Sequence, residues 1–273
     1  MSVFDQMVSR YEIKTENDRR NAIHEVMQEI TLAGLYRGGF FEKAAFYGGT
    51  CLRIFHSMPR FSQDMDFSLV SQSGSFSLED YFPSVVREFN ALGRRVEITK
   101  KEKNIGGNIE SAFLKDDTEM YNITFRTEKV VKVKIEVDIN PPLAFLTEQK
   151  LLLQPFSFMT RCFTLPDLYA GKMHALIFRN WKSRVKGRDW YDFAWYVRNS
   201  VPLNFNHLQE RTLHLNGIEI TKEDFIKMVR TRLSTTDIEM VRRDVAPFIL
   251  NHKELDIWSN DYFIQLSERI LYL

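Results

Sequence analysis

Residues 48–66 read GGTCLRIFHSMPRFSQDMD, and this stretch is the strongest indication of the fold. Its two consecutive glycines let the backbone turn tightly and approach a ligand with no Cβ in the way. Thr50 is placed to cap a short helix over CLRIFH, and the unpaired N–H groups at such a helix start favour an anion. We therefore expect a phosphate-binding turn. Its candidate nucleotide-binding residues are Gly48, Gly49, Thr50, Arg60 and Ser62.

Two carboxylates follow this turn in the segment DMDFSLV, residues 64–70. If the segment is a strand, Asp64 and Asp66 project from one face while Met65 and Phe67 project from the other. Like charges on one face repel each other, and a divalent cation such as magnesium or manganese would neutralise them. We therefore predict a metal site at Asp64 and Asp66, although a solvated edge strand also fits this half of the pattern alone.

A third carboxylate is expected from VVKVKIEVDIN, residues 130–140. Its apolar residues occupy the odd positions and its charged residues the even positions, as in a strand with one buried face. Asp138 is then oriented like Asp64 and Asp66 if the strands are neighbours. Asp138 is our candidate third metal ligand and catalytic residue, while Glu136 is an open alternative.

The segment LPDLYAGKMHALIFR, residues 165–179, predicts a helix with Lys172 at the margin of its apolar face. Such a lysine either extends to solvent or neutralises triphosphate oxygens across a cleft. The run RNWKSRVKGR that follows has no acidic residue, which is typical of a solvated surface or of a nucleic-acid contact. The candidate acceptor-binding cations are Arg179, Lys182, Arg184, Lys186 and Arg188.

A second pair of aspartates lies in GRDWYDFAWYV, residues 187–197. Asp189 and Asp192 are three positions apart, so on a helix they lie on one side. The aromatic residues around them are more typical of a core than of a base-stacking platform. The segment alone therefore predicts a buried helix with two acids on one side.

The composition is that of an ordinary globular protein. The 273 residues are 44% hydrophobic and 27% charged, with a net charge of +1, which argues against electrostatic binding of nucleic acid over the whole surface. No membrane-length apolar run or signal peptide is visible, so we expect a cytoplasmic protein with reduced thiols at Cys51 and Cys162. No zinc motif or P-loop occurs.

Hydrophobic periodicity predicts a mixed architecture. A helix is expected over 15–37, strands at 44–49 and 64–70, and a helix over 77–92. Short alternating segments between 94 and 140 predict further strands, and helical patterns dominate after 155. We predict an α+β fold in which a core domain with a mixed sheet, 1–155, is followed by a helical domain, 156–273, that adds Lys172 and Asp189 to the site.

Three separated blocks together resemble the AbiEii/AbiGii family of abortive-infection toxins, within the polymerase-β-like nucleotidyltransferase superfamily. They are the Gly-Gly-Thr turn with its Arg-x-Ser and Asp-x-Asp, a lysine on a helix, and an Arg-Asp-x-Tyr-Asp motif. The matching residues are Gly48, Gly49, Thr50, Leu52, Arg60, Ser62, Asp64, Asp66, Phe67, Lys172, Arg188, Asp189, Tyr191 and Asp192. The one departure is Met65, which stands where an aliphatic residue is usual.

The resemblance implies a polymerase-β-like nucleotidyltransferase core and Mg²⁺-dependent (or Mn²⁺-dependent) transfer of a nucleoside monophosphate from an NTP to an acceptor hydroxyl. It also implies the toxin of a type IV-like toxin–antitoxin system, with a cognate antitoxin as partner and the tRNA 3′ end as an expected acceptor. The residues implied to be catalytic are Asp64, Asp66, Asp138, Lys172 and Asp189. A small-molecule or protein nucleotidyltransferase and a non-catalytic nucleotide-binding protein are the alternatives.

Overall fold

The computed structural model of the chain describes residues 2–71, 76–100, 118–126, 130–179 and 185–273. Within these ranges the side chains at 118–121, 125–126 and 130 are not described. Two of the candidate acceptor-binding residues, Lys182 and Arg184, lie outside the described residues.

Helices make up about half of the described chain. None of those helices has the length and apolar character needed to cross a membrane. The α-helices are α1 (Val3–Val8), α2 (Glu16–Arg37), α3 (Gly48–Phe55), α4 (Phe82–Ala91), α5 (Leu165–Phe178), α6 (Gly187–Arg198), α7 (Phe205–Asn216), α8 (Lys222–Thr235), α9 (Ile238–Val245) and α10 (Asn260–Ser267).

The strands form one mixed sheet in the order β3-β4-β5-β2-β1-β7-β6. Strand β2 lies between β1, to which it is antiparallel, and β5, to which it is parallel. The β1–β7 pair is also parallel. The strands are β1 (Ala44–Tyr47), β2 (Asp64–Leu69), β3 (Val96–Lys100), β4 (Thr118–Arg126), β5 (Val130–Asp138), β6 (Thr147–Leu152) and β7 (Phe158–Phe163).

The central strands have one buried face and one that is partly open. Met65 and Phe67 are buried while Asp64 and Asp66 are only half-buried, as the alternation in β2 predicts. Helix α2 packs against β5 and β7. It begins after Thr15, whose side chain forms a capping box with Asp18. The predicted helix over 15–37 is therefore confirmed.

The expected boundary between residues 155 and 156 falls inside the sheet. Strand β7 comes after that boundary, yet it pairs with β6 and with β1. The segment that follows, from Leu165 onward, is helical, and its first helix, α5, packs against α3, α6, α7 and α8. The helical part is thus joined to the sheet through α3, the helix that begins at the Gly-Gly turn.

Candidate active site

Both glycines of the turn are in close contact with polar side chains of the site. Gly48 has φ = +80°, and a Cβ there would overlap Oδ2 of Asp66. A Cβ at Gly49 would lie 2.7 Å from Nη2 of Arg60 and 3.0 Å from Oγ of Ser62. No side chain caps the start of α3. The turn therefore presents helix N-terminal amide groups beside a carboxylate, which is the setting that an anion with a bound cation needs.

Thr50 has a different role from the one predicted. The helix begins at Gly48, so Thr50 lies within its first turn and is not the cap. Its side chain is fully buried, and its hydroxyl donates a hydrogen bond to the backbone carbonyl of Asp64. Thr50 therefore connects α3 to the first residue of β2 and helps to fix the position of the carboxylates.

The strand register sets charged side chains of β2 and β5 opposite one another on the partly open face, beginning with Asp64 opposite Lys134. Asp66 lies opposite Glu136 on β5 and opposite Tyr47 on β1, while Asp138 lies opposite Ser68 in the next row. The carboxylate beside Asp66 is thus that of Glu136. Burial, Glu136 and then Asp64 raise the pKa of Asp66 to about 7.

A metal would have to bind to oxygen ligands at this face. The carboxylates of Asp64, Asp66 and Glu136 suit Mg²⁺ or Mn²⁺, and Asp66 lies against the glycine turn. In the part of the chain that the structure describes, no three His, Cys, Asp or Glu side chains already converge as a metal site. The carboxylate of Glu136 instead forms an ion pair with Nζ of Lys134. The residue types fit the ion, although Glu136 is turned toward a lysine.

A buried ion pair connects the loop before β2 to helix α6. Nε of Arg60 donates to Oδ1 of Asp192 at 2.5 Å, and Nη2 donates to Oδ2 at 2.6 Å. Both side chains are almost fully buried. The sequence suggested that Arg60 would bind nucleotide, but its guanidinium is instead paired with Asp192 beneath the Gly-Gly turn. Arg60 is therefore a structural residue that connects the loop before β2 to helix α6.

Lys172 lies beside the same buried carboxylates. Its Nζ is 2.8 Å from Oδ2 of Asp192 and 3.1 Å from Oδ1 of Asp189. Nη1 of Arg179 lies 2.6 Å from Oδ2 of Asp189. Burial opposes ionisation of Asp189, but Arg179 and Lys172 outweigh it and keep the pKa of Asp189 well below its usual range. Asp189 thus holds two cations in position.

Two further cations lie at the start of α6. Burial and then Arg179 lower the pKa of Lys186 to about 8. Lys172 and Lys186 are both near enough to Asp66 to lower its pKa against the opposing contributions. Arg188 is buried, lies 4.2 Å from the ring centre of Phe248 and interacts electrostatically with Asp64. Cations from the helical part therefore face the carboxylates of the sheet.

Three residues of this site were not among the predicted functional residues. Asp192 anchors Arg60 and Lys172, and its place three residues after Asp189 was the available signal. Lys134 shares the even positions of β5 with Glu136, so its orientation could be predicted but not its partner. Tyr47 lies in the Asp66 row, and burial followed by Asp66 raises its pKa well above the usual range.

Two solved structures resemble this fold. One is a candidate nucleotidyltransferase from H. pylori, with a TM-score of 0.52, 14% identity, and coverage of 90% of this chain and 92% of that one. The other is JHP933 from Helicobacter pylori, with a TM-score of 0.53, 14% identity, and coverage of 91% and 90%. At this identity the likeness concerns the fold alone. No curated protein sequence matches the chain.

The sequence itself identifies the family. Residues 30–262 match the model of the nucleotidyl transferase AbiEii toxin of type IV toxin–antitoxin systems. This match spans most of the chain and includes the Gly-Gly turn, both carboxylate strands and helices α5 and α6. The chain belongs to the AbiEii nucleotidyl transferase toxin family.

Proposed function

We propose that this protein transfers a nucleoside monophosphate from an NTP to an acceptor hydroxyl, with pyrophosphate as the leaving group. The observation that carries the proposal is the position of Asp66. It lies beside Glu136 on the sheet, against the Gly-Gly turn, and within electrostatic range of Lys172 and Lys186. A triphosphate bound with a divalent cation has the charges that complement this arrangement.

Asp64, Asp66 and Glu136 would hold Mg²⁺ or Mn²⁺. Such ions stabilise the attacking and the leaving oxygens of a phosphoryl transfer. We favour Glu136 over Asp138 as the third ligand because the register sets Glu136 opposite Asp66. The choice is testable with a matched pair of variants on one strand. Glu136→Gln is expected to abolish transfer, whereas Asp138→Asn is expected to retain most of it.

The chain's own groups would bind and orient the donor. The amide groups of Gly48 and Gly49 would bind phosphate oxygens at the start of α3, with the Ser62 hydroxyl beside Gly49. Lys172 would neutralise negative charge that develops on the pyrophosphate. Asp189 would act as a positioning residue, because it pairs with Lys172.

The biological role follows from the family: a toxin whose activity a cognate antitoxin counteracts. We propose the 3′ end of tRNA as acceptor. Lys186, at the start of α6, is partly exposed and lies near the carboxylates, whereas Arg188 is buried and Arg179 is paired with Asp189. A cation group beside the catalytic carboxylates suits an acceptor with a phosphate backbone.

The test is incubation of the pure protein with each α-labelled NTP, Mg²⁺ and total RNA. Label in RNA of tRNA size is expected, and Asp66→Asn should remove it while the exposed Asp256→Asn retains it. Label in the protein or in a small molecule would reject a tRNA acceptor and retain nucleotidyl transfer. No label in any fraction, with a folded protein and bound NTP, would refute transfer itself.

A further inference from the structure

A lysine lies among the carboxylates that the proposed function assigns to the metal. Lys134 is opposite Asp64 in the parallel β2–β5 pair, and two residues before Glu136 on the same face. Its Nζ forms an ion pair with Oε1 of Glu136, and both side chains are only about a quarter exposed, at 27% and 24%. The ammonium group therefore already neutralises part of the negative charge of this face.

The ammonium group of Lys134 interacts electrostatically with all three acids, Asp64, Asp66 and Glu136. Burial opposes the charged form of Lys134, yet Glu136 and then Asp64 and Asp66 raise the pKa of the lysine above its usual value. Lys134 is thus a fixed monovalent cation in the region where a divalent cation would bind. Coordination by Glu136 requires that its carboxylate first leave this ammonium, because one oxygen cannot hold both at full strength.

We propose that Lys134 withholds Glu136 from divalent metal in the free protein and releases it when metal arrives together with a triphosphate. This inference rests on the proposed function. The free protein then binds metal weakly, since binding breaks a partly buried, charge-assisted hydrogen bond and leaves an ammonium without a partner. A triphosphate supplies a new anionic partner for Lys134, so nucleotide and metal bind cooperatively.

The expected coupling follows from thermodynamic linkage. If bound nucleotide strengthens metal binding by replacing Glu136 as the ion-pair partner of Lys134, then metal strengthens nucleotide binding by the same factor. Removal of the ammonium must then raise metal affinity in the absence of nucleotide and reduce the coupling factor. This is the opposite of the result expected when Lys134 only stabilises the fold or the bound triphosphate.

The experiment measures Mn²⁺ binding by the loss of the free-ion EPR signal, with and without a non-hydrolysable NTP analogue. Lys134→Met should bind Mn²⁺ on the order of tenfold more tightly than wild type without nucleotide, because the competing cation is gone. Lys134→Arg should stay near wild type. Lys132→Met is the matched control, because this exposed lysine is on the same strand face, about 7 Å along β5.

Lys132→Met is expected to change the Mn²⁺ affinity less than threefold, since its exposed side chain lies about 13 Å from Glu136 along β5, beyond the Debye length of about 8 Å at physiological ionic strength. The effect of Lys134→Met should also vanish in a Glu136→Gln background, because Glu136 is the group that Lys134 withholds. Thermal unfolding of each variant, followed by circular dichroism, verifies the fold. If Lys134→Met does not fold, Lys134→Arg is measured in its place, and its guanidinium must preserve the weak metal binding of wild type.

Several results would overturn the inference. They are unchanged or weaker Mn²⁺ binding by folded Lys134→Met, an equal gain in Lys132→Met, or a gain that persists without Glu136. Failure of the proposed function has a different signature: no variant binds Mn²⁺ even with nucleotide, or binding is insensitive to Asp66→Asn. Mn²⁺ binding that depends on Asp66 but not on Lys134 would leave the proposed function standing and reject this inference alone.

Discussion

Gly48 is required by two independent constraints at one position. Its φ of +80° is a conformation that an L side chain adopts at a cost, and a Cβ at this position would overlap the carboxylate of Asp66. At another glycine of the chain, only the first of these two constraints applies. Gly93 has φ = +69°, and no atom of the described residues lies within 4 Å of an added Cβ there. Any effect that Gly48 has beyond backbone conformation therefore comes from Asp66.

We predict that Gly48→Ala lowers nucleotidyl transfer at least 100-fold, because the new methyl group displaces the Asp66 carboxylate from the turn. Gly93→Ala should cost a similar amount of backbone energy, about 1 kcal/mol, and leave transfer unchanged. The measurements are label incorporation and urea unfolding of both variants. Equal loss of activity in the two would mean that backbone strain, and not contact with Asp66, explains the requirement for glycine.

Two buried histidines make the helical part sensitive to acid. Burial and then Arg211 lower the pKa of His174 and of His207 to about 3 each. The unfolded chain binds these protons below about pH 6.5, while the folded chain does not bind them until about pH 3. The contribution of these two neutral histidines to the free energy of unfolding is therefore fully present above about pH 6.5, and it is lost as the pH falls toward 3.

We expect the free energy of unfolding to fall between pH 7 and pH 5 by up to about 1.4 kcal/mol per pH unit for each histidine. The double variant His174→Gln/His207→Gln should show a clearly smaller fall, since neither side chain then takes up a proton on unfolding. Urea unfolding at the two pH values measures this, with the exposed His252→Gln as control. A fall equal to that of wild type would exclude these histidines as its source.

At the scale of elements, the Arg60–Asp192 pair connects the loop before β2 to helix α6. Both side chains are almost fully buried. Removal of one partner leaves an uncompensated buried charge, which costs about 3–5 kcal/mol, whereas removal of both with apolar replacements costs much less. We expect Arg60→Met and Asp192→Leu each to destabilise strongly, and the double variant to be more stable than the sum of the two predicts. Urea unfolding of the cycle measures the coupling energy, and additive effects would show that the pair is not a structural connection.

Elements with strong local signals were predictable from the sequence. The capping box at Thr15 gave the start of α2 to within one residue, and alternation gave β2 and β5 with the correct faces. Strands β6 and β7 were missed, because LTEQKLLLQ and FMTRCF do not alternate clearly and their stability comes from pairing with each other and with β1. A boundary at residue 155 followed from that omission.

The site residues show the same difference: the face on which a side chain lies follows from the local sequence, but its partner on another element does not. Asp66 and Glu136 share a face by parity, but so does Asp138, and only the register of β2 against β5 distinguishes the two acids. Arg60 looked like a nucleotide ligand because its buried partner, Asp192, is 132 residues away along the chain. Motif residues could thus be identified from the sequence, whereas their pairings could not.

At the scale of the molecule, the sheet and the helical part share one buried network of charge. Lys172 from α5 and the Arg60–Asp192 pair lie under the turn that begins α3. Backbone contacts add to this, since the N–H of Phe61 donates to the carbonyl of Phe248 at 2.8 Å. The two parts are expected to unfold together, because separation would expose buried charges on both sides.

The tryptophans and the cysteines of the chain can be used to test this expectation. Its four tryptophans all follow residue 180, whereas its two thiols, Cys51 and Cys162, are buried in α3 and β7. We predict that urea titrations followed by tryptophan fluorescence and by thiol labelling have the same midpoint, because both report one cooperative transition. In Arg60→Met both midpoints should fall together. Thiol labelling at a lower urea concentration than the fluorescence change would show instead that the sheet opens while the helical part stays folded, and would remove the basis for treating the site as a single rigid arrangement.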